Sequence, residues 1–518
     1  MATSSRWWRV SGTLAGLAVF GLPLAALVVE AIRSLVVNPS LVHLVIPTGR
    51  TLVLLVRSCA LAGVTAVLCL LAGTAASLAL PPAVGRLGWL RMVLFVPMVI
   101  PPYVHALAWM RAAEWLRRVV ALVGMRLPAF QGFGAALWVQ AMVYLPLATG
   151  VALAAWSMID AQLVDAALMR GSQDRALWRI VLPLGGPVLL SGAVLIFVLC
   201  MGDLSIPSLF SVNTYALELY ARFSATGRIA DVTLLAVPHI LVCLTALVPA
   251  IRSISAAVSA PSTREGMAHG LRRSSRWTQG LCVGAVCLLS LDVAGLGVSL
   301  LSGLHGATWV AVLDAAPSAW VSVRLTFFAC VLTSILAIAV GPLVGRRGLL
   351  GRSLLVLILI PLALPGPLAG TGALLTNGLV HGAWTAQVAP ALLMAFRFAP
   401  FACLMTGARL ARADADAVEA GRVFERRRGD WMLRVWLPML LPVLTAAILL
   451  VAILVVGEVG GSLMVMPPGQ QPLSITIYNY LHYGASGTVS ALCLALFVAV
   501  LLLSIPCFVS WRRAWRLA

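Results

Sequence analysis

The sequence has no lysine and little charge of any kind: only 10% of its 518 residues are charged. With 61% hydrophobic residues and a mean hydropathy of +1.01, the chain cannot cover itself with a water-soluble surface. The missing lysine also excludes the phosphate-cradling loop Gly-x-x-x-x-Gly-Lys-Ser/Thr. Paired Cys-x-x-Cys spacing is absent, and all ten cysteines fall inside apolar runs, where they read as small apolar side chains rather than metal ligands or disulfide partners. No His-Glu-x-x-His or Gly-x-Ser-x-Gly pattern occurs, which removes the motif-based case for a membrane-embedded enzyme.

What the chain does have is long apolar runs. Twelve candidate spans lie near residues 12–32, 52–78, 87–110, 134–156, 181–201, 232–251, 278–302, 325–344, 353–376, 386–408, 437–457 and 486–507. Runs of about 20 residues suit helices, because a barrel strand needs only about 10 alternating residues and hydrocarbon forces the backbone to satisfy itself. The first run, preceded by Arg6 and Arg9, ends in Val-Val-Glu with no small-residue cleavage site, so it is expected to be a helix and not a signal peptide.

A net charge of +19 suggests nucleic acid in a soluble protein, but here all 36 basic residues are Arg and they sort by loop. With the N-terminus inside, predicted cytoplasmic segments hold 25 of them and outer loops 8. This positive-inside bias predicts a multi-pass protein of the bacterial inner membrane with both termini cytoplasmic and lipid, not nucleic acid, as its surroundings.

The organisation repeats. Residues 252–277 read as a cytoplasmic linker between an N-terminal half, 1–251, and a C-terminal half, 278–518, each of about six spans. Pro146 and Pro400 are 254 residues apart, as are Asp165 and Glu419. Leu182-Pro183 and Leu437-Pro438, Pro187 and Pro442, and Gly202-Asp203 and Gly457-Glu458 are 255 apart. Upstream, Ile100-Pro101 matches Leu364-Pro365 at 264, because the first half carries a longer outer loop. Equivalent points fall on the same side of the membrane, as a parallel repeat requires.

Two loops, 160–183 and 414–438, carry the most specific pattern. In the first, Asp165-Ala166-Ala167 is followed by Gly171 and then Leu182-Pro183. In the second, Glu419-Ala420-Gly421 is followed by Glu425 and then Leu437-Pro438. An acidic residue favours the positive end of a short helix, Ala leaves a low profile that can enter a partner's groove, Gly permits a turn, and Leu-Pro is expected to begin the next membrane helix. The two loops resemble the Glu-Ala-Ala…Gly…Ile-x-Leu-Pro loop of permeases of binding-protein-dependent (type I) ABC importers. The first copy has Asp for Glu and is one residue short between Gly171 and Leu182. The second has Gly421 for the second Ala and Glu425 in place of Gly, so weaker docking is expected there. Residues 96–109 and Gly202-Asp203 are similar to stretches of the fused ferric-iron and thiamine permeases.

The resemblance implies an all-α polytopic membrane protein of about twelve transmembrane helices in two homologous halves, forming the solute pathway. It further implies a separate ATPase subunit in two copies, which binds the ATP and Mg, and a periplasmic or lipid-anchored solute-binding protein. This chain itself would hold no cofactor or metal and perform no catalysis. Ferric iron is the preferred cargo, with thiamine, polyamine or phosphonate-type solutes as alternatives.

Other residues are candidates on their own chemistry. Asp203 and Glu458 end the fifth and eleventh spans, where a carboxylate pair would suit an outer gate as well as an ordinary helix end. Pro101-Pro102 and Pro365-Gly366-Pro367 interrupt the third and ninth spans, as pathway-lining breaks or packing kinks. Arg397 is a pathway residue or an internal pair, Arg57 a snorkelling side chain, and Asp292 an expensive intramembrane carboxylate. His43, His105, His305, His381 and His482 lack ligand spacing and read as surface or interfacial residues. A secondary transporter also fits twelve spans, but only Asp292 supplies the intramembrane carboxylate it needs and the duplicated loop is left without a role.

Overall fold

The computed structural model describes residues 10–80, 93–170, 172–259, 276–302, 308–344, 348–378, 385–411, 432–483 and 486–516. Among these the regular structure is helical throughout. In chain order the helices are α1 (Val10–Val37), α2 (Gly49–Ala79), α3 (Pro102–Leu122), α4 (Gly132–Ser157), α5 (Ala161–Arg170), α6 (Gln173–Gly202), α7 (Ser205–Leu209), α8 (Tyr215–Thr226) and α9 (Ile229–Ser259). They continue as α10 (Arg276–Ser302), α11 (Thr308–Asp314), α12 (Ala316–Val344), α13 (Leu349–Ala363), α14 (Gly366–Gly378), α15 (Thr385–Ala411), α16 (Leu437–Gly457), α17 (Ser462–Val465), α18 (Leu473–Tyr483) and α19 (Ser486–Arg516).

Ten of the helices in the described residues are long and apolar enough to cross a bilayer, and α13 with α14, bent by 116° at their junction, form a further broken span or a re-entrant loop. The chain is therefore an all-α, multi-pass membrane protein. The expected span at 87–110 has its first part outside the described residues. Its remainder is not one continuous helix: a 3-10 turn at Val96–Val99 leads to a break, and α3 then runs on to Leu122, past the expected end. Large side chains such as Leu14, Val29 and Leu71 lie on the outer surface, which is the face a bilayer covers without cost.

Two groups of helices pack with the same internal pattern. In the first, α2, α4 and α6 pack on one another and α9 lies against α6; in the second, α12, α15 and α16 do so and α19 lies against α16. The leading helices cross over. α1 lies on α14 and brings Gly12 against the Ala339 carbonyl and Leu343 of α12, while α10 lies on α2, α3 and α4. Gly73 of α2 meets the backbone at Ala148 and Thr149 of α4 so closely that no side chain fits between them. Small residues at such crossings let backbones approach, which is how helices gain packing where lipid offers no hydrophobic drive.

The Leu-Pro expectation is corrected. Leu182-Pro183 does not begin a helix: α6 starts at Gln173 and contains a π turn over Leu177–Val181 immediately before Leu182. In the second copy Leu437-Pro438 does open α16, directly after a π turn over Met432–Trp436. A proline cannot donate to the carbonyl four residues back, and a widened turn before it relieves that clash while the helix continues.

Candidate functional site

The two breaks are built alike. Pro101 and Pro365 have no N–H and press the preceding residue into extended backbone. Ile100 accordingly sits at φ −89°, ψ 134°, and Leu364 at φ −87°, ψ 129°. The Ile100 N–H donates to the Pro97 carbonyl at 3.1 Å and the Leu364 N–H to the Pro361 carbonyl at 3.3 Å. Pro102 then opens α3 at its first position, where a missing N–H costs nothing, and Gly366 opens α14. Both prolines therefore mark true breaks, not kinks.

The carboxylates end α6 and α16 in the same way. Asp203 has φ −79°, ψ 124° and Glu458 φ −76°, ψ 123°, and the N–H of each donates to the carbonyl three residues back at 3.2 Å. Asp203 accepts from Ser205 N–H at 2.8 Å and from Gln140 Nε2 at 3.2 Å. Glu458 Oε1 accepts from Gly461 N–H at 2.8 Å and from Arg397 Nη1 at 3.3 Å. Each carboxylate thus caps the turn that follows it and takes a second donor from the neighbouring long helix, α4 or α15.

Breaks and carboxylates interlock crosswise. A Cβ on Gly457 would stand 3.1 Å from Pro101 Cγ, and one on Gly202 would stand 3.6 Å from Pro365 Cα. A Cβ on Gly366 would stand 2.7 Å from Arg397 Nη1 and 2.8 Å from Gly461 N, so glycine is what lets the guanidinium and the turn after Glu458 close on the break. The sequence candidates Pro101, Pro102, Pro365, Asp203, Glu458 and Arg397 therefore gather at one junction of the two helix groups, with Arg397 resolved as an internal pair. Ser208 of α7 and Tyr478 of α18 share a hydrogen bond of 2.9 Å across the same junction. Burial raises the Tyr478 phenol, a shift the Ser208 bond opposes, so it serves as a neutral hydroxyl.

At the far end of α4 and α6 stands the short helix α5. Asp160 Oδ1 accepts from Gln162 N–H at 3.0 Å and so caps its start. Asp165 and Ala166 are exposed and Ala167 is half-buried, while Leu163 and Met169 are 53% and 88% exposed. Val164, at 1%, is driven into a cluster with Trp156 and Leu177. Trp156 is itself held by a 2.8 Å bond to Ser77 Oγ. α5 is thus a projecting helix with a single buried anchor tied to the ends of two membrane helices. Gly171, and Glu419, Ala420, Gly421 and Glu425 of the second loop, lie outside the described residues.

Two residues overturn the sequence reading or were given no partner by it. His105, expected at the surface, is fully buried. Asp292, 183 residues after Trp109, accepts a hydrogen bond from its indole. An apolar setting for His105 gave no signal, since the neighbours that bury it come from α10 and the break. The described residues contain no group of three or more His, Cys, Asp or Glu suited to hold a metal ion.

Comparison with family models, with curated proteins and with solved structures finds no match to this chain.

Proposed function

We propose that this protein is the membrane-spanning permease of an ABC importer, with two related halves enclosing the solute pathway and separate ATPase subunits docking on its two cytoplasmic loops. The observation that carries the reading is α5: a short helix that offers Asp165 and Ala166 outward while Val164 anchors it to Trp156 and Leu177. A knob on a rigid mount transmits displacement, and an ATPase that grips it more tightly in one conformation than another biases the pathway accordingly. Support also comes from the paired breaks, since broken helices line pathways where freed backbone groups need a protein-covered setting.

Ferric iron is the favoured cargo, on the similarity of residues 96–109 and 202–203 to ferric-iron permeases; thiamine, polyamine and phosphonate-type solutes follow. ATP and Mg belong to the ATPase, and cargo delivery belongs to a periplasmic or lipid-anchored binding protein. A secondary transporter draws support from Asp292 alone and leaves α5 without a role.

The test is Ala166→Trp. Affinity-purified wild-type chain from native membranes is expected to bring ATP-hydrolysing activity with it, and the variant to lose that activity while inserting at wild-type levels. Undiminished ATPase co-purification with the variant would overturn the docking assignment.

A further inference from the structure

Asp292 lies well inside α10 with its side chain 1% exposed, and the facing His105 is 0% exposed. A lone carboxylate in such a place is too costly to keep. Its Oδ1 accepts from Trp109 Nε1 at 2.9 Å and lies 3.4 Å from His105 Nδ1, an ion-pair distance without hydrogen-bond alignment. Asp292 Oδ2 and His105 Nδ1 have no hydrogen-bond partner. The other ring nitrogen, Nε2, is 3.0 Å from the Pro97 carbonyl. A carbonyl only accepts, so Nε2 carries a hydrogen. A neutral ring would then turn the bare lone pair of Nδ1 toward an ionised carboxylate in a dry site. One proton, on Nδ1 or on the carboxyl group, removes that repulsion and leaves the pair with no net charge.

We propose that His105 and Asp292 form a buried binding site for one proton, and that this proton latches the Pro101 break to α10. His105 stands in the first turn of α3, and its bond to Pro97 spans the break from one limb to the other. Asp292 ties that ring to α10, and Arg111 Nη1, donating to the Ser299 carbonyl at 3.3 Å, makes a second tie farther along. Release of the proton to water leaves an unbalanced carboxylate facing a lone pair, and separation of α3 from α10 relieves it.

The surroundings leave this pair to set its own state. Among the described residues, the elements packed most closely on α3 and α10 are the Val96–Val99 turn, α2, α4, α7 and α19. Across these and α3 and α10 themselves, the only acids and histidines are His105, Glu114 and Asp292, and Glu114 pairs with Arg118. Of the other groups there, Arg50 of α2 pairs with Glu218, Arg57 is exposed, Tyr144 is on α4, and Cys493 of α19 faces Tyr103 and Arg111. At the 264-residue offset, His105 and Trp109 become Ala369 and Ala373, both fully buried, and α1 brings Leu27 against Gly372. That contact is apolar and needs no proton, so the latch belongs to one break only.

Amide hydrogen exchange of the full chain in lipid nanodiscs tests this, read by mass spectrometry on peptides covering residues 93–109 from about pH 5 to 9 and corrected for intrinsic exchange. Opening that releases one proton makes protection at Val104 and His105 fall by about tenfold per pH unit wherever the closed pair holds the proton and the opened groups do not. Asp292→Asn is expected to lose the slope, because an amide in place of the carboxylate neither takes up nor releases the proton, while its oxygen still accepts from Trp109. Asp292→Leu is expected to be poorly protected at every pH, and His105→Gln, which keeps a donor for Pro97, to lose the slope if the leucine variant fails to insert. A flat wild-type profile, or a wild-type slope in Asp292→Asn, overturns the proposal. Neither result bears on ATPase docking at α5.

Discussion

Pro101 packs directly on Gly457, the last residue of α16, so closely that a methyl group there would have to push its ring aside: a Cβ would stand 3.1 Å from Pro101 Cγ and 3.3 Å from its Cβ. The reciprocal contact of Gly202 with Pro365 is looser, at 3.6 Å. The ring of Pro101 is held by the break and cannot rotate away, so the two glycines differ in what they tolerate.

Gly457→Val is accordingly expected to cost about 1–3 kcal/mol through overpacking, and Gly202→Ala to be near neutral. Thermal unfolding of the two purified variants in detergent measures this, and a larger loss for Gly202→Ala would contradict the geometry.

Arg397 and Glu458 are only 18% and 10% exposed. Arg397→Met leaves a largely buried carboxylate unpaired and is expected to destabilise by about 3 kcal/mol. Glu458→Gln is milder, because its amide oxygen still accepts from Gly461 N–H and from Arg397. The double variant is expected to recover much of the loss of Arg397→Met, since it removes the unpaired charge. Unfolding midpoints of the three variants decide it; strict additivity would show that the pair is not coupled.

Ser58 Oγ accepts the N–H of Tyr215, the first residue of α8, and Ser322 Oγ accepts that of Leu473, the first residue of α18, both at 2.8 Å. The serines are 264 residues apart, the offset that also relates the two breaks. Each bond satisfies a helix-start donor that would otherwise be orphaned in a buried setting. Ser58→Ala and Ser322→Ala should therefore each cost about 1–2 kcal/mol, and to a similar extent. A silent effect at one serine and a large one at the other, in the same unfolding assay, would speak against equivalent roles.

Reporter fusions placed after residues 160, 265 and 420 are all expected to signal cytoplasm, as the arginine distribution requires. A periplasmic signal at any of them would overturn the orientation, and with it the assignment of α5 to the ATPase side.

The sequence by itself determined the class of structure and some of the places where helices break or end. Apolar runs in a chain with 10% charge leave no solution but membrane helices. Breaks at Pro101 and Pro365 and helix ends at Gly202 and Gly457 were legible because proline and glycine act on the backbone within a residue or two. The matching register of these points was legible for the same reason. Which residues meet was decided only by the tertiary structure. Membrane helices are apolar on all sides, so their periodicity does not mark the face that turns inward. The pairing of Arg397 with Glu458, the serine bonds to α8 and α18, and the burial of His105 against Asp292 join positions far apart in the chain. Leu182-Pro183, read as a helix start, lies inside α6 because a π turn absorbs the proline. There Trp156 of α4 packs on Gly185, two residues past the proline, a contact that joins positions far apart in the chain.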